Sequence, residues 1–337
     1  MLIHLQDLPV KLSDIARLAQ VSVTTASYVI NGQATRRRIS QATIERVLAV
    51  VEEYGYRPDQ QAAGLRRGQS RCLGFILPDL ENPSYARLAK LLEQKARAAG
   101  YQMLIASSDD DPHSERQLLD LFRSRRCDAL IVASCLPQDD PLYAELVAGG
   151  LPIIAVDRAL SPQHVRSVVS DDEGAGYQLA SSLLHGKPKH IALLSARPEL
   201  VISQARERGF RRALEGFDGR VSICYGEQFN RRSGYEQMQA LLADAGSPDA
   251  LVTTAYVLLE GVFDRLQQQP QSSWNALRLA TFGDTQLLDF LPLRVNAMSQ
   301  QHERIAERVL AWALLAVEQN DYRPGIEAID RSFKARA

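Results

Sequence analysis

Residues 15–32 read Ile15-Ala16-Arg17-Leu18-Ala19-Gln20-Val21-Ser22-Val23-Thr24-Thr25-Ala26-Ser27-Tyr28-Val29-Ile30-Asn31-Gly32. Just upstream, Ser13 can cap a helix that places Ile15, Leu18 and Ala19 on one face and stops near Gln20-Val21. Ser22 then caps a second helix with Ala26, Val29 and Ile30 turned inward, leaving Val23, Thr24, Ser27 and Tyr28 outward. A third helix starting at Ser40 sets Ile44, Val47, Leu48 and Val51 at i, i+3, i+4 and i+7 and closes at Gly55. Three such helices can share one small core. Two helices joined by a tight turn, the second with small polar side chains on its leading face, form the helix-turn-helix that enters a DNA major groove. On pattern alone, a three-helix domain that binds nothing is the alternative.

Charge favours the first reading. The net charge over 337 residues is −1, yet Lys11, Arg17, Arg36, Arg37, Arg38, Arg46, Arg57, Arg66 and Arg67 face only Asp7, Asp14, Glu45, Glu52, Glu53 and Asp59 in the first seventy. A basic segment on a mildly acidic remainder suits a polyanion partner for that segment alone, although an ordinary solvated surface has the same look.

The length calls for several domains, and 45% hydrophobic with 23% charged residues excludes disordered, collagenous and disulfide-framework classes. Cys72, Cys127, Cys135 and Cys224 form no CxxC pair and no Cys/His group with metal-ligand spacing, so reduced thiols and no metal are expected. No secretory leader or membrane span is legible, which leads us to expect a cytoplasmic location. No GxSxG, Walker loop, HExxH or Rossmann glycine pattern appears, so neither an enzyme nor a cofactor is expected.

After Pro58, Asp59 can cap a short helix running through Gln60, Ala62, Ala63 and Leu65 to Gly68. One or two turns are marginal in water, so such a segment could order only on a partner and couple two domains. Beyond it, apolar β-rich runs at 72–77, 102–106, 129–133, 153–156, 191–194, 250–254 and 279–282 are mostly separated by helical patterns. Alternating strand and helix predicts parallel sheets covered on both faces, with ligands outside the carboxyl ends of the strands. Asp157 and Arg158 follow the fourth run and Asp284 the last. Each could equally be a turn or ion-pair residue.

Residues 15–32 closely resemble the head of LacI-family repressors. That resemblance implies that Val23, Thr24 and Tyr28 read bases while Ser22, Thr25, Ser27 and Asn31 hold phosphates. Gln20 stands where glycine is usual and Tyr28 where arginine is usual. A tyrosine offers one hydroxyl and an apolar ring in place of a bidentate grip on guanine, so the preferred operator should differ. Arg36, Arg37 and Arg38 lengthen the following loop, and their charge suits backbone phosphate, Arg38 included, unless the run is merely solvated. Leu65 matches the leucine that wedges into the minor groove beside its dimer mate, with packing against the body as the plain alternative.

The resemblance extends almost to the C-terminus. Pro78-Asp79-Leu80-Glu81-Asn82-Pro83-Ser84-Tyr85 is similar to a family turn that offers Ser84 and Tyr85 to a ligand, and Arg206-Glu207-Arg208-Gly209-Phe210 matches the family's R-x-x-G-[FW] motif. With Asp157, Arg158 and Asp284, these would supply two carboxylates for sugar hydroxyls, two guanidiniums for an anion and an aromatic wall. The implied organisation is an extension (1–10), an all-α helix-turn-helix head (11–57), a hinge and linker (58–70), and an α/β body (71–337) of two periplasmic-binding-protein-like subdomains. Their boundaries are expected at 71–169 with 294–322 and 170–293 with 323–337, the chain crossing near Asp171, Leu293 and Tyr322.

Tyr256 replaces a usual aspartate, which argues against a neutral hexose, and Arg158 argues for a charged effector. With Tyr28, the arginine loop and Phe282-Gly283-Asp284-Thr285-Gln286-Leu287-Leu288-Asp289-Phe290-Leu291, the chain looks most like fructose-responsive members of the family. For these, the implied partners are double-stranded operator DNA, fructose 1-phosphate and a second copy of the chain, since paired half-sites mirror a two-fold protein. Another phosphosugar or a purine as effector stays open. A periplasmic sugar-binding protein would share the body without the head.

Overall fold

A computed structural model describes residues 10–56 and 69–336. The expected hinge helix with Asp59 and Leu65 lies outside the described residues, as does most of the N-terminal extension. Residues up to Ser70 and residues from Arg71 onward form two compact units.

The first unit consists of α1 (Leu12–Leu18), α2 (Val23–Ile30) and α3 (Gln41–Glu53). Ser22 caps α2, its Oγ accepting from the Thr25 amide at 3.0 Å, and Ser40 caps α3 by accepting from Thr43 at 3.4 Å. Ser13 does not cap α1. It lies inside the helix, and the Asp14 carboxylate instead accepts from the Lys11 amide at 3.1 Å, a carboxylate at the third helical position doing the work of a hydroxyl. The turn after α1 passes through Gln20 at φ +53°, the left-handed conformation glycine adopts most easily. Ile15, Ala16, Ala19, Ala26, Val29, Ala34 and Val47 form the core. Leu18 and Leu48, expected inward, are exposed, because the core closes through Ile15, Ala16 and Ala19 on α1 and Val47 on α3.

The second unit holds two six-stranded sheets. One contains β1 (Cys72–Leu77), β2 (Gln102–Ser107), β3 (Ala129–Val132), β4 (Ile153–Val156), β5 (Arg166–Ser170) and β11 (Gly325–Ile329), in the order β11-β5-β4-β3-β1-β2. The other contains β6 (His190–Ala196), β7 (Arg220–Gly226), β8 (Ala250–Thr253), β9 (Arg278–Phe282), β10 (Val295–Ser299) and β12 (Ser332–Lys334), in the order β12-β10-β9-β8-β6-β7. All pairings are parallel except that of β12 with β10. Helices α4 (Pro83–Ala98), α5 (Pro112–Ser124), α6 (Pro141–Ala148) and α11 (His302–Gln319) belong with the first sheet, and α7 (Asp172–Leu184), α8 (Val201–Ala213), α9 (Arg231–Ala245) and α10 (Tyr256–Leu266) with the second.

Strand membership moves two of the expected crossings. The chain leaves the first sheet after β5, beside Asp171. It returns after β10 rather than near Leu293, since β10 pairs with β9. It crosses for the last time between β11 and β12 rather than near Tyr322, since β11 pairs with β5 and β12 with β10. The short link at Asp330-Arg331 therefore carries the chain from one sheet to the other.

Helices α7 and α8 approach through glycine. A Cβ on Gly209 would lie 2.0 Å from the Glu173 carbonyl oxygen, and one on Gly176 would lie 2.5 Å from that of Arg206. Gly209 of the R-x-x-G motif thus serves packing, and the tight contact fixes the height at which Arg206 leaves α8.

Candidate functional site

The carboxyl ends of both sheets open on a cleft of about 410 Å³. All six effector residues expected from the sequence, Ser84, Tyr85, Asp157, Arg158, Arg206 and Asp284, line it. On the first sheet's side, the Arg158 amide donates to the Val156 carbonyl at 2.7 Å across Asp157, which sits at φ +65°. This is a γ-turn of the strained, positive-φ kind, and it sets both side chains on the rim. Tyr85 donates to Asp157 Oδ2 and Gln300 Nε2 to Asp157 Oδ1, each at 2.8 Å. Ser84 Oγ bonds Gln300 at 2.9 Å and His302 Nε2 at 2.8 Å, so the rim is one connected polar network.

Electrostatics pull its members apart. Burial would raise the Asp157 carboxyl, but Arg206 first, then Arg331, the Tyr85 hydrogen bond and Arg158, hold it below the usual carboxylate range. Burial and the neighbouring Asp157 push the Tyr85 hydroxyl well up, so it remains a donor. Burial, with Arg87 and Arg331 nearby, lowers His302 to about 4, which leaves it neutral near pH 7.

Across the cleft, Arg206 donates through Nε to Asp172 at 2.9 Å and through Nη1 to the Thr254 carbonyl at 2.7 Å. Arg331 meets the same Asp172 oxygen at 2.9 Å. Both guanidiniums lie over the Phe282 ring, at 4.6 and 5.3 Å from its centre. Two buried guanidiniums share one directly bonded carboxylate, with Asp157 acting on both only through space, which leaves a positive pole on this side of the cleft. Burial lowers Arg331, with Asp172 opposing and Arg206 reinforcing the shift, as expected for crowded like charges. Among the described residues, nothing accepts from Arg331 Nε or Arg158 Nε. A buried unpaired donor costs about 1–3 kcal/mol.

Three details depart from the sequence reading. Arg158, expected to serve an anion, commits its terminal nitrogens to Asp110 at 2.5 and 3.1 Å, while Arg331, not anticipated from the sequence, lines the same cleft. Asp284, expected to be free for hydroxyls, accepts from Arg336 at 2.6 Å. Phe210 is wholly buried in the second sheet's core, and the aromatic lining comes from Tyr85, Phe229, Tyr256 and Phe282. Arg331 escaped the sequence reading because it stands alone in a two-residue link without a motif.

In the head, Ser22, Val23, Thr24 and Asn31 are exposed, and Thr25, Ser27 and Tyr28 partly so. The residues expected to hold phosphates are already linked in pairs: Ser22 Oγ to Thr25 Oγ1 at 2.8 Å, and Asn31 Nδ2 to the Ser27 carbonyl at 2.7 Å. Arg37 lies over the Tyr28 ring, 4.6 Å from its centre, and Arg38 is exposed at φ +56°. No cluster of metal-ligating side chains occurs among the described residues, and no helix among them is long and apolar enough to cross a membrane.

Two family models match the chain. One, for bacterial regulatory proteins of the lacI family, covers residues 11–59. The other, for periplasmic binding proteins and the sugar binding domain of the LacI family, covers residues 70–272. The fructose operon regulatory protein of Vibrio cholerae serotype O1 is 50% identical over 325 residues, 96% of this chain and 99% of its own length. The catabolite repressor/activator of Escherichia coli K12 is 42% identical over 327 residues, 97% of this chain and 98% of its own. The crystal structure of the Cra transcriptional dual regulator from Pseudomonas putida in complex with fructose 1-phosphate has 62% sequence identity and a TM-score of 0.78, covering 79% of this chain and 99% of that one. The lac repressor dimer bound to operator and an anti-inducer shares the fold at 20% identity, with a TM-score of 0.84 over 98% of this chain and 99% of that one.

Proposed function

This chain belongs to the lacI family of bacterial regulatory proteins, and from that premise we propose that it regulates fructose uptake and carbon metabolism genes and leaves its operator when fructose 1-phosphate binds. The observation that carries the effector class is the pair Arg206 and Arg331 on the single carboxylate of Asp172. Such a pole suits a phosphate dianion, to which guanidiniums donate in charge-assisted pairs. Opposite it, Asp157 offers lone pairs to sugar hydroxyls, while Tyr85 and Gln300 keep its carboxylate in place. The Pseudomonas putida relative solved with fructose 1-phosphate supports the choice of sugar phosphate.

A ligand bridging Asp157 on one side and Arg206 with Arg331 on the other favours whichever arrangement of the two sheets brings these groups together. It shifts operator affinity only by as much as it binds that arrangement more tightly. The working unit is a homodimer in the cytoplasm, without metal, cofactor or catalytic step. Its subunit contact includes Leu287 and Phe290, which stand 63% and 76% exposed on the 3-10 turn Gln286–Phe290.

The test is a titration of the full chain onto a labelled palindromic operator from a fructose-uptake promoter. Salt is held fixed because phosphate contacts make affinity steeply salt-dependent. Fructose 1-phosphate should release the protein and fructose 6-phosphate should not. Tight binding with release by another metabolite would keep the regulator and discard this effector.

A further inference from the structure

The loop that follows α2 is a built structure. The Gln33 amide donates to the Tyr28 carbonyl at 2.8 Å, tying the loop to the last turn of the helix. Ala34 is buried in the core of the head. From that anchor the chain coils through one turn, with Arg37 donating to Gln33 at 3.1 Å, Arg38 to Thr35 at 3.1 Å and Ile39 to Ala34 at 3.0 Å. Arg38 closes the turn in the left-handed conformation. These bonds return Arg37 over Tyr28, with its guanidinium carbon 4.6 Å from the ring centre.

This placement separates Arg37 from its neighbours. A guanidinium stacked on a ring uses its face and keeps its edge N–H groups free. No carboxylate among the described residues forms an ion pair with Arg37. Tyr28 occupies the outward face of α2, so the donors stand beside the base-reading side chains and not out along the phosphates.

We propose that Arg37 and Tyr28 form one composite base reader, in which the loop arginine grips guanine while the tyrosine ring holds its guanidinium in plane. The inference rests on reading α2 as the recognition helix. A tyrosine alone cannot make the bidentate contact to guanine O6 and N7, whereas a guanidinium can. The loop supplies the group missing from the helix, held against the ring and so with less side-chain freedom to lose on binding.

Competition binding of the full chain against operators carrying each base pair at each position, at fixed salt, tests this. The native protein should prefer guanine at one position per half-site. Arg37→Ala should lower that preference roughly 10- to 100-fold, the range of one bidentate pair. Arg37→Lys should lose it too, since it keeps charge but not the planar fork. Tyr28→Phe should retain it, because stacking needs only the ring, and Tyr28→Leu should lose it. The double variant Arg37→Ala/Tyr28→Leu should be no less selective than either single change. Arg36→Ala, a phosphate-type control, should weaken every operator alike. Uniform weakening by Arg37→Ala with a shallower salt slope would overturn the proposal in favour of a phosphate contact. Full preference in Tyr28→Leu would overturn the composite. If the native protein holds no operator above non-specific DNA, the recognition-helix reading falls and the proposal with it.

Discussion

Arg206 and Asp157 act on each other across the cleft by charge while bonding elsewhere: Arg206 donates to Asp172 and Thr254, and Asp157 accepts from Tyr85 and Gln300. The guanidinium is nonetheless the strongest of the influences that hold the Asp157 carboxyl down against burial. Asp157 follows β4 of the first sheet, and Arg206 stands on α8, which packs on the second. A ligand between them would replace a through-space attraction with direct contacts.

Arg206→Ala should abolish the response to fructose 1-phosphate and leave operator binding intact. The change removes a donor to Asp172 and exposes Asp157 to its burial cost, so effector affinity should fall by about 3 kcal/mol, roughly 100-fold. Calorimetric titration of the sugar phosphate alongside operator anisotropy reads both quantities. An equal loss of operator affinity would show that Arg206 serves folding or DNA contact instead.

Arg331→Gln should separate phosphate from sugar. Glutamine keeps much of the volume and one donor but removes half of the positive pole over Phe282. Affinity for fructose 1-phosphate should drop at least about tenfold, the worth of one charge-assisted hydrogen bond, while any weak binding of unphosphorylated fructose stays unchanged. A parallel drop for both ligands would place Arg331 in the scaffold only.

How far the site was legible follows from where each side chain sits. Asp157, Arg158 and Asp284 were found because parallel sheets place loops with ligand access just after apolar strands, and such runs are visible in the sequence. Arg206 was found because its motif is intact, though Gly209 proves to be there for helix packing. Arg331 was hidden because β11 and β12 are edge strands with broken apolar patterns, so nothing in the sequence marks the link between them as a crossing. β10 was missed despite its buried position, since Asn296 interrupts the run and meets its needs with Ser182 and the Arg336 amide. Cys72 and Cys127, far apart in sequence, come within 3.9 Å because β1 and β3 are neighbours. Pairings of this kind depend on strand order, which periodicity does not encode.

His302 should make stability depend on acid. Its pKa falls from 6.5 unfolded to about 4 folded, chiefly through burial. The folded state thus resists protonation that the unfolded chain accepts, so stability present above pH 6.5 is lost as pH falls toward 4. The full loss is at most roughly 3 kcal/mol. Urea unfolding at pH 7.5 and 4.5 should show His302→Gln gaining roughly 2 kcal/mol on the native protein at the lower pH. An equal pH dependence in both would assign the loss to carboxylates alone.

Gln20→Gly should stabilise the head. A non-glycine residue at φ +53° carries left-handed strain of about 1–2 kcal/mol, partly offset by the greater chain entropy of glycine, for a net gain of about 1 kcal/mol. Slower hydrogen exchange at the α1 and α2 amides of the full chain would register it. Unchanged or faster exchange would mean that contacts of the glutamine side chain outweigh the strain.

Leu287→Glu combined with Phe290→Glu should turn the dimer into monomers. The turn that carries them is held from within by Leu288, 2% exposed, and from the side by Asp289, which accepts from Arg336 at 2.7 Å and from Lys334 at 3.1 Å. A turn so anchored cannot fold its two outward side chains back into the core, and leaving a leucine and a phenylalanine in water forgoes about 1.5–3 kcal/mol each. In a two-fold contact each residue counts twice, so four buried apolar side chains would become four unpaired carboxylates against a low-dielectric surface. Sedimentation should show a monomer at concentrations where the native chain is dimeric. Operator affinity should fall steeply, because each monomer then engages a single half-site. The effector should still bind, since neither residue lines the cleft. A dimer that survives both substitutions would place the subunit contact on another face.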